Sequence, residues 1–163
     1  MKPDQHFETR AVHAGQDPDP ATGAVVPPIY QTSTYAQVGV GHHHGFEYSR
    51  TGNPTRAALE TCLASLEQGQ FGLAFASGMA ACDAIMRLLR PGDQVIVGND
   101  VYGGTYRLFE RVGVPFGLIF NYVDATELSE IKKHLTSSTR MVWIETPTNP
   151  LLRLANIELI SVL

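Results

Sequence analysis

The spacing of apolar residues switches repeatedly between helical and strand-like patterns after residue 53. Asn53 and Pro54 suit the cap and the first position of a helix, and Leu59 and Leu63 then recur on one face, before Gly69. Short, largely apolar runs predict buried strands over residues 71–76, 94–98, 116–123 and 140–145. Helical spacing returns between these runs and predicts helices over residues 79–90, 102–112 and 126–135.

The order of these elements predicts the fold class. Strand and helix alternate four times with short connections, and the strand runs are mostly apolar without a regular polar alternation, as is typical of strands that are buried on both faces. We therefore expect an α/β fold with a mostly parallel sheet covered by helices. One more helix begins at Asn156, but the sequence stops at Leu163 before two turns are complete, so we expect a chain that is truncated at its C-terminus.

Residues 1–52 differ in character from the rest of the chain. Proline and glycine recur too often there for a long regular element, whereas the aromatic content is too high for a free tail. Irregular stretches of this length are uncommon inside a compact domain. We predict an extended arm over residues 1–52 that contacts a neighbouring subunit, followed by a domain over residues 53–163.

Composition excludes several classes of protein. The net charge is −4, the pI is near 5.8 and 17% of the residues are charged, so no basic surface is available to bind nucleic acid. No apolar run approaches the roughly 20 residues that cross a bilayer, and the N-terminus lacks an apolar signal segment. We therefore expect a cytoplasmic protein. Cys62 and Cys82 are too few for a disulfide framework and are expected to be reduced, buried thiols.

Candidate binding residues follow the predicted strands, because open α/β sheets bind ligands at the carboxyl ends of their strands. Ser77, Gly78 and Met79 close the first predicted strand and open a helix, where backbone N–H groups and a hydroxyl can bind phosphate. The alternative is a simple helix cap with a turn glycine, which is the more common role of serine at that position. The tripeptide alone leaves both roles open.

Two further loops carry candidate chemistry. Tyr102 precedes two glycines after the second predicted strand, where it can stack on a planar ligand, transfer protons, or only pack on the sheet edge. Glu145 and Asn149 lie in a loop stiffened by two prolines, which either orients a binding amide or serves as a rigid connector.

The remaining polar clusters are weaker candidates. Arg50, with the phenol of Tyr48 nearby, suits phosphate binding, although a surface charge is the more common role of a single arginine. The three histidines at residues 42–44 have no second cluster at ligand spacing, so we predict no metal site. Lys132 and Lys133 follow acidic residues on a charged helix, where ion pairing explains them.

Four segments in this order closely resemble the transsulfuration family of pyridoxal-phosphate (PLP) enzymes. They are YSRTGNPT at 48–55, FASGMA at 75–80, DVYGGT at 100–105 and ETPTNP at 145–150. The resemblance implies the N-terminal part of a type I aminotransferase-like fold, assembled as a homotetramer of active dimers. It also implies pyridoxal 5′-phosphate as cofactor and an amino-acid substrate.

The resemblance assigns roles to the candidate residues. Ser77, Gly78 and Met79 would hold the cofactor phosphate, and Tyr48 and Arg50 would reach the same phosphate in a neighbouring subunit. Tyr102 would stack on the pyridine ring and share in proton transfer. Asn149 would bind near the phenolic oxygen of the cofactor and the substrate carboxylate, with Glu145 as a supporting residue.

The resemblance also implies what this chain lacks. The lysine that forms the Schiff base would lie beyond Leu163, and Lys2, Lys132 and Lys133 lack its sequence context. The 163-residue chain alone is therefore expected to be inactive, either as a truncated product or as a non-catalytic dimerisation segment. Overall similarity favours γ-replacement of an O-acylhomoserine by cysteine, with cleavage of cystathionine at its γ or β carbon as the alternative.

Overall fold

The structure is a computed structural model, and residues 5–163 are described. The chain groups into two compact units, one ending at Ala74 and one spanning Phe75–Leu163. The described part of the predicted arm (residues 1–52), from residue 5 onward, lies within the first unit, and its role at a subunit contact stays a prediction.

Two helices organise the first unit. Helix α1 spans Phe7–His13, and helix α2 spans Pro54–Leu66. The Asn53 side chain accepts hydrogen bonds from the amides of Thr55 and Arg56, which confirms the predicted start of α2. The sequence pattern missed α1, which packs against α2 and donates a hydrogen bond of 2.6 Å from Arg10 Nη1 to the carbonyl oxygen of Ser65.

The second unit is built on a parallel sheet of three strands. They are β1 (Gln94–Gly98), β2 (Ile119–Val123) and β3 (Thr139–Trp143), in the order β2-β1-β3. Both pairings of β1 are parallel, and every residue of this central strand is buried. The predicted α/β class and parallel sheet are thereby confirmed.

Helices cover both faces of this sheet. In chain order they are α3 (Gly78–Met86), α4 (Gly103–Leu108), a π-helix (Phe109–Gly113), α5 (Val114–Phe116), α6 (Leu128–His134) and α7 (Ile157–Ser161). Val95 and Val97 of β1 pack with Phe109 on one face, whereas Ile96 packs with Ile131 on the other. Alternate residues of the central strand thus enter separate cores.

One predicted strand is wrong. Residues 71–76 form no regular element, and Phe71 and Leu73 are 80% and 77% exposed. No strand among the described residues pairs with this run, and the amide of Ala74 donates instead to Glu60 Oε1 at 2.9 Å. An apolar run becomes a strand only where a neighbouring strand satisfies its backbone groups.

Several predicted boundaries shift. The helix predicted to end at residue 112 continues through Phe116, where Gly117 adopts φ +98° and ends it, so β2 begins at Ile119. The helix predicted over 79–90 ends at Met86. The predicted last helix is confirmed as α7, whose Asn156 cap accepts from the amide of Leu159 at 3.0 Å.

The two cysteines and the helix lengths can be compared with the sequence. Cys62 and Cys82 are free thiols, as expected, but they are half-buried rather than buried. Within residues 5–163 no helix has the length and hydropathy needed to cross a membrane.

The larger of the two cores contains Phe109 together with Met86, Leu89, Val95, Val97 and Leu118. We predict that Phe109→Ala destabilises the protein by about 3–5 kcal/mol, because it leaves a cavity in this larger core. The Phe109 ring is fully buried. Its centroid lies 4.6 Å from that of the stacked Phe120 ring and 5.2 Å from that of the Trp143 ring, which it contacts edge-on. Urea unfolding followed by far-ultraviolet circular dichroism measures the change. The control is Phe116→Ala, which removes a ring that is 47% exposed and should cost less than about 1 kcal/mol. Equal losses in the two variants would contradict this description of the core.

Candidate functional site

Parallel pairing brings the carboxyl ends of the three strands to one edge of the sheet. A cleft at this edge is lined by residues that follow β1, β2 and β3, including Asp100, Asp124, Glu145 and Arg153. The position agrees with the general location of ligand sites in open α/β sheets.

Glu145 is the most connected side chain at this edge. Its Oε2 accepts a hydrogen bond from the backbone amide of Tyr102 at 2.7 Å. Its Oε1 accepts from the Thr105 hydroxyl at 2.8 Å and from the Trp143 indole at 3.3 Å. The carboxylate therefore joins the end of β3 to the first turn of α4, where a negative charge is favoured by the helix dipole.

Tyr102 presents its ring at the same edge. The residue is 48% exposed, and its ring lies so close to Gly104 that a Cβ at residue 104 would overlap it. The same Cβ would lie 3.0 Å from Met79 Sδ. The structure thus brings together Met79 and Tyr102, two predicted site residues, around a glycine that no larger residue can replace without displacing them.

The N-terminus of α3 carries the other predicted residues. Ser77 Oγ accepts a hydrogen bond from the amide of Ala80 at 3.1 Å, so Ser77 caps the helix, whereas its role in phosphate binding stays a prediction. Gly78 and Met79 are the first two helical residues, whose N–H groups have no acceptor within the helix. Ser77 and Gly78 are exposed, and nothing lies within 4 Å of a Cβ built on Gly78. Open space and free donors fit an anion such as phosphate.

Asn149 lies in an ordered but exposed part of the loop after β3. The amide of Thr148 donates to the Arg153 carbonyl at 3.0 Å, and the amide of Arg153 donates back to Thr148 Oγ1 at 2.8 Å. The Asn149 side chain itself makes no hydrogen bond within residues 5–163. The structure therefore holds the loop while leaving this amide available to a ligand.

Three charged residues of the cleft were missed by the sequence prediction. Asp124 accepts from the hydroxyl and amide of Thr126 and pairs with Arg153 at 3.5 Å; together these contacts lower its pKa, with the Thr126 hydroxyl as the largest cause. Asp100 Oδ2 is buried with no hydrogen-bond partner within residues 5–163. Asp124 follows β2 directly, so the rule that located Glu145 also applies to it.

Tyr48 and Arg50 belong to the first unit. The Arg50 guanidinium lies 4.8 Å from the centroid of the Tyr48 ring, which is a cation–π contact. Arg50 is exposed and forms no ion pair within the described part of the chain. Its donors thus remain free to bind an anion.

The other polar clusters offer no alternative site. Within residues 5–163 no group of His, Cys, Asp and Glu side chains is arranged to hold a metal ion, and the histidines at 42–44 are exposed. Lys132 and Lys133 are exposed on α6, with Lys133 Nζ 3.9 Å from Glu130 Oε1. Lys2 lies outside the described residues.

Comparison with known proteins identifies the relatives of this chain. The family profile for Cys/Met metabolism PLP-dependent enzymes matches residues 8–163. A probable cystathionine gamma-synthase of Herpetosiphon aurantiacus is 58% identical over 97% of the chain and 50% of that protein. A cystathionine beta-lyase of Coxiella burnetii is 54% identical over 96% of the chain and 41% of that protein. The chain thus spans half or less of the length of these relatives.

Solved structures agree with the sequence relatives. The crystal structure of metB from Corynebacterium glutamicum matches with a TM-score of 0.95 and 43% identity, over 99% of this chain and 43% of that one. Cystathionine gamma-lyase from Lactobacillus plantarum, complexed with L-serine, matches with a TM-score of 0.89 and 46% identity, over 97% and 42%. These matches confirm the expected fold class.

The pKa of the Cys82 thiol reports the negative charge of Glu145. Burial raises the pKa of Cys82, and the negative charge of Glu145 raises it further. We predict that Glu145→Gln lowers the Cys82 pKa towards its ordinary value without reaching it, because the burial persists. The pH dependence of alkylation by iodoacetamide, measured in a Cys62→Ser background, reports this pKa.

The matched control is Asp83→Asn, which removes the carboxylate next to Cys82 in sequence and should leave the Cys82 pKa unchanged. An unaltered alkylation profile in Glu145→Gln would show that the carboxylate does not act on Cys82.

Proposed function

The chain belongs to the Cys/Met metabolism family of PLP-dependent enzymes, and from that premise we propose that the full-length protein is a transsulfuration enzyme acting at the γ carbon of amino acids. The favoured reaction is that of a cystathionine γ-synthase, in which the thiol of cysteine replaces the acyl group of an O-acylhomoserine. The 58% identity to a probable cystathionine gamma-synthase supports this choice.

The observation that supports the site best is the grouping of phosphate donors and an aromatic ring at one sheet edge. Gly78 and Met79 supply free N–H groups, and Met79 also lies beside Gly104, over which the Tyr102 ring is placed. Pyridoxal phosphate combines a dianionic phosphate with a planar ring, so both of its parts find suitable partners here. When bound, the cofactor supplies the electron sink that stabilises a carbanion on the substrate.

Each candidate site residue of the second unit then has a specific role. The N–H groups of Gly78 and Met79 bind the phosphate, and the Ser77 hydroxyl can donate to it while its oxygen still accepts from Ala80. The Tyr102 ring would stack on the cofactor ring, and its phenolic oxygen would exchange a proton with the substrate amine. The Asn149 amide donates to the phenolic oxygen of the cofactor and to the substrate carboxylate.

A lysine for the covalent link to the cofactor is not among these residues. Lys132 and Lys133 are exposed on α6, where Lys133 Nζ lies 3.9 Å from Glu130 Oε1, and Lys2 lies outside the described residues. We therefore propose that the lysine belongs to a part of the protein outside these 163 residues, and that this chain alone is inactive.

Cleavage of cystathionine is the alternative reaction. It is supported by 54% identity to a protein named cystathionine beta-lyase and 50% identity to human cystathionine gamma-lyase. The phosphate donors and the stacking ring suit either reaction, because both reactions use the same cofactor.

We predict that the full-length protein forms cystathionine from cysteine and an O-acetyl or O-succinyl ester of homoserine. Chromatography of the products separates the possible reactions. Production of cysteine and 2-oxobutanoate from cystathionine without any synthesis would replace the proposal by a γ-lyase. Production of homocysteine and pyruvate would replace it by a β-lyase.

We also predict that Arg50 serves the phosphate of a neighbouring copy in a homo-oligomer, which mixed subunits test. Arg50→Ala and Tyr102→Ala would each lose most activity, because each weakens the cofactor site. If the two residues serve one site from different copies, half of the dimers formed by refolding a one-to-one mixture contain one intact site. About a quarter of wild-type activity should then return.

The control for this experiment is Arg50→Ala mixed with itself, which should stay inactive. No recovery in the mixture would mean that Arg50 and Tyr102 of one copy serve the same site. Full activity of Arg50→Ala alone would mean that Arg50 serves no cofactor site.

A further inference from the structure

We propose that Glu145 is a positioning residue that fixes the Tyr102 ring by holding the backbone of Tyr102. This inference rests on the proposed function, in which that ring stacks on the cofactor. It assigns to Glu145 a task in cofactor binding, although its carboxylate acts only through another residue.

The hydrogen bonds show how the carboxylate holds the start of α4. Tyr102 is the cap residue of this helix and makes no capping hydrogen bond with its own side chain. Glu145, 43 residues later in the sequence, accepts a hydrogen bond of 2.7 Å from the backbone amide of Tyr102. Its second oxygen accepts from Thr105 in the first turn of the same helix. Two bonds to one helical turn restrict both its position and its rotation.

Strand β3 gives this carboxylate a rigid base. Glu145 lies two residues beyond Trp143, whose indole donates to Glu145 Oε1 at 3.3 Å and whose ring packs edge-on against the buried Phe109. The carboxylate is therefore anchored to the larger core of the second unit, and it transfers that rigidity to the helix start.

The surroundings of the ring make its position sensitive to the backbone. The Tyr102 ring lies against Gly104, and Met79 Sδ borders the same space. Met79 belongs to the first turn of α3, whose N–H groups suit the phosphate. A shift of the Tyr102 backbone would therefore change the distance between the ring and these N–H groups. Phosphate and ring subsites must match the fixed length of the cofactor, so a small displacement weakens binding.

A role limited to helix stability makes a different prediction from a positioning role. A lost cap lowers the stability of α4 whether or not residue 102 carries a ring. A lost positioning contact affects cofactor binding only while the ring is present. A double-mutant cycle between Glu145 and Tyr102 separates the two roles, because Tyr102→Ala keeps the backbone amide that Glu145 binds.

The experiment measures the affinity of the full-length apoprotein for pyridoxal phosphate and the visible circular dichroism of the bound cofactor. We expect Glu145→Ala to weaken binding about tenfold, which corresponds to about 1.4 kcal/mol, and to reduce the dichroic band. Glu145→Gln retains one carbonyl acceptor and should lose less. In the Tyr102→Ala background, Glu145→Ala should have almost no further effect.

Two further variants keep the test informative if Glu145→Ala folds poorly. Gly104→Ala displaces the ring but leaves the hydrogen bonds of Glu145 in place, so it should reproduce the weaker binding and the reduced dichroism. Glu130→Gln removes a carboxylate on α6 that pairs with Lys133 at 3.9 Å and does not line the cleft, and it should change neither quantity.

The outcomes distinguish this inference from the proposed function. Equal losses caused by Glu145→Ala with and without the Tyr102 ring, or normal dichroism in Gly104→Ala, would overturn the positioning role while the cofactor site stands. Failure of the wild-type protein to bind pyridoxal phosphate would overturn both.

Discussion

Parallel pairing of β1 with both β2 and β3 is the constraint on which the site depends. Because all three strands run in the same direction, the segments that follow them meet at one edge of the sheet. Glu145 reaches the amide of Tyr102 only because β1 and β3 are neighbours. An antiparallel β3 would place the carboxylate at the opposite edge and leave the start of α4 without its acceptor.

The two cores keep this edge rigid. β1 contributes Val95 and Val97 to one core and Ile96 to the other, so it is fixed from both faces. Phe109 of the π-helix packs against Phe120 of β2 and Trp143 of β3 through its aromatic ring. A phosphate and a planar ring can be bound together only if their subsites keep their spacing, which a sheet buried on both faces provides.

Local sequence signals predicted much of the fold. The buried run of β1, the cap at Asn53 and the helix start at Asn156 all depend on neighbouring residues, and the structure confirms them. The strand expected at residues 71–76 failed because strand formation needs a partner that a local pattern does not reveal. The candidate residues were found from motifs, whereas the contact of Glu145 with Tyr102 joins residues 43 positions apart and became visible only in three dimensions.

A crystal structure of the full-length protein with pyridoxal phosphate tests most directly whether this sheet edge is the cofactor site. We expect the phosphate within about 3 Å of the amide nitrogens of Gly78 and Met79, and the pyridine ring stacked on Tyr102. A cofactor whose phosphate is bound elsewhere, or whose ring makes no contact with Tyr102, would contradict the site proposed for this chain.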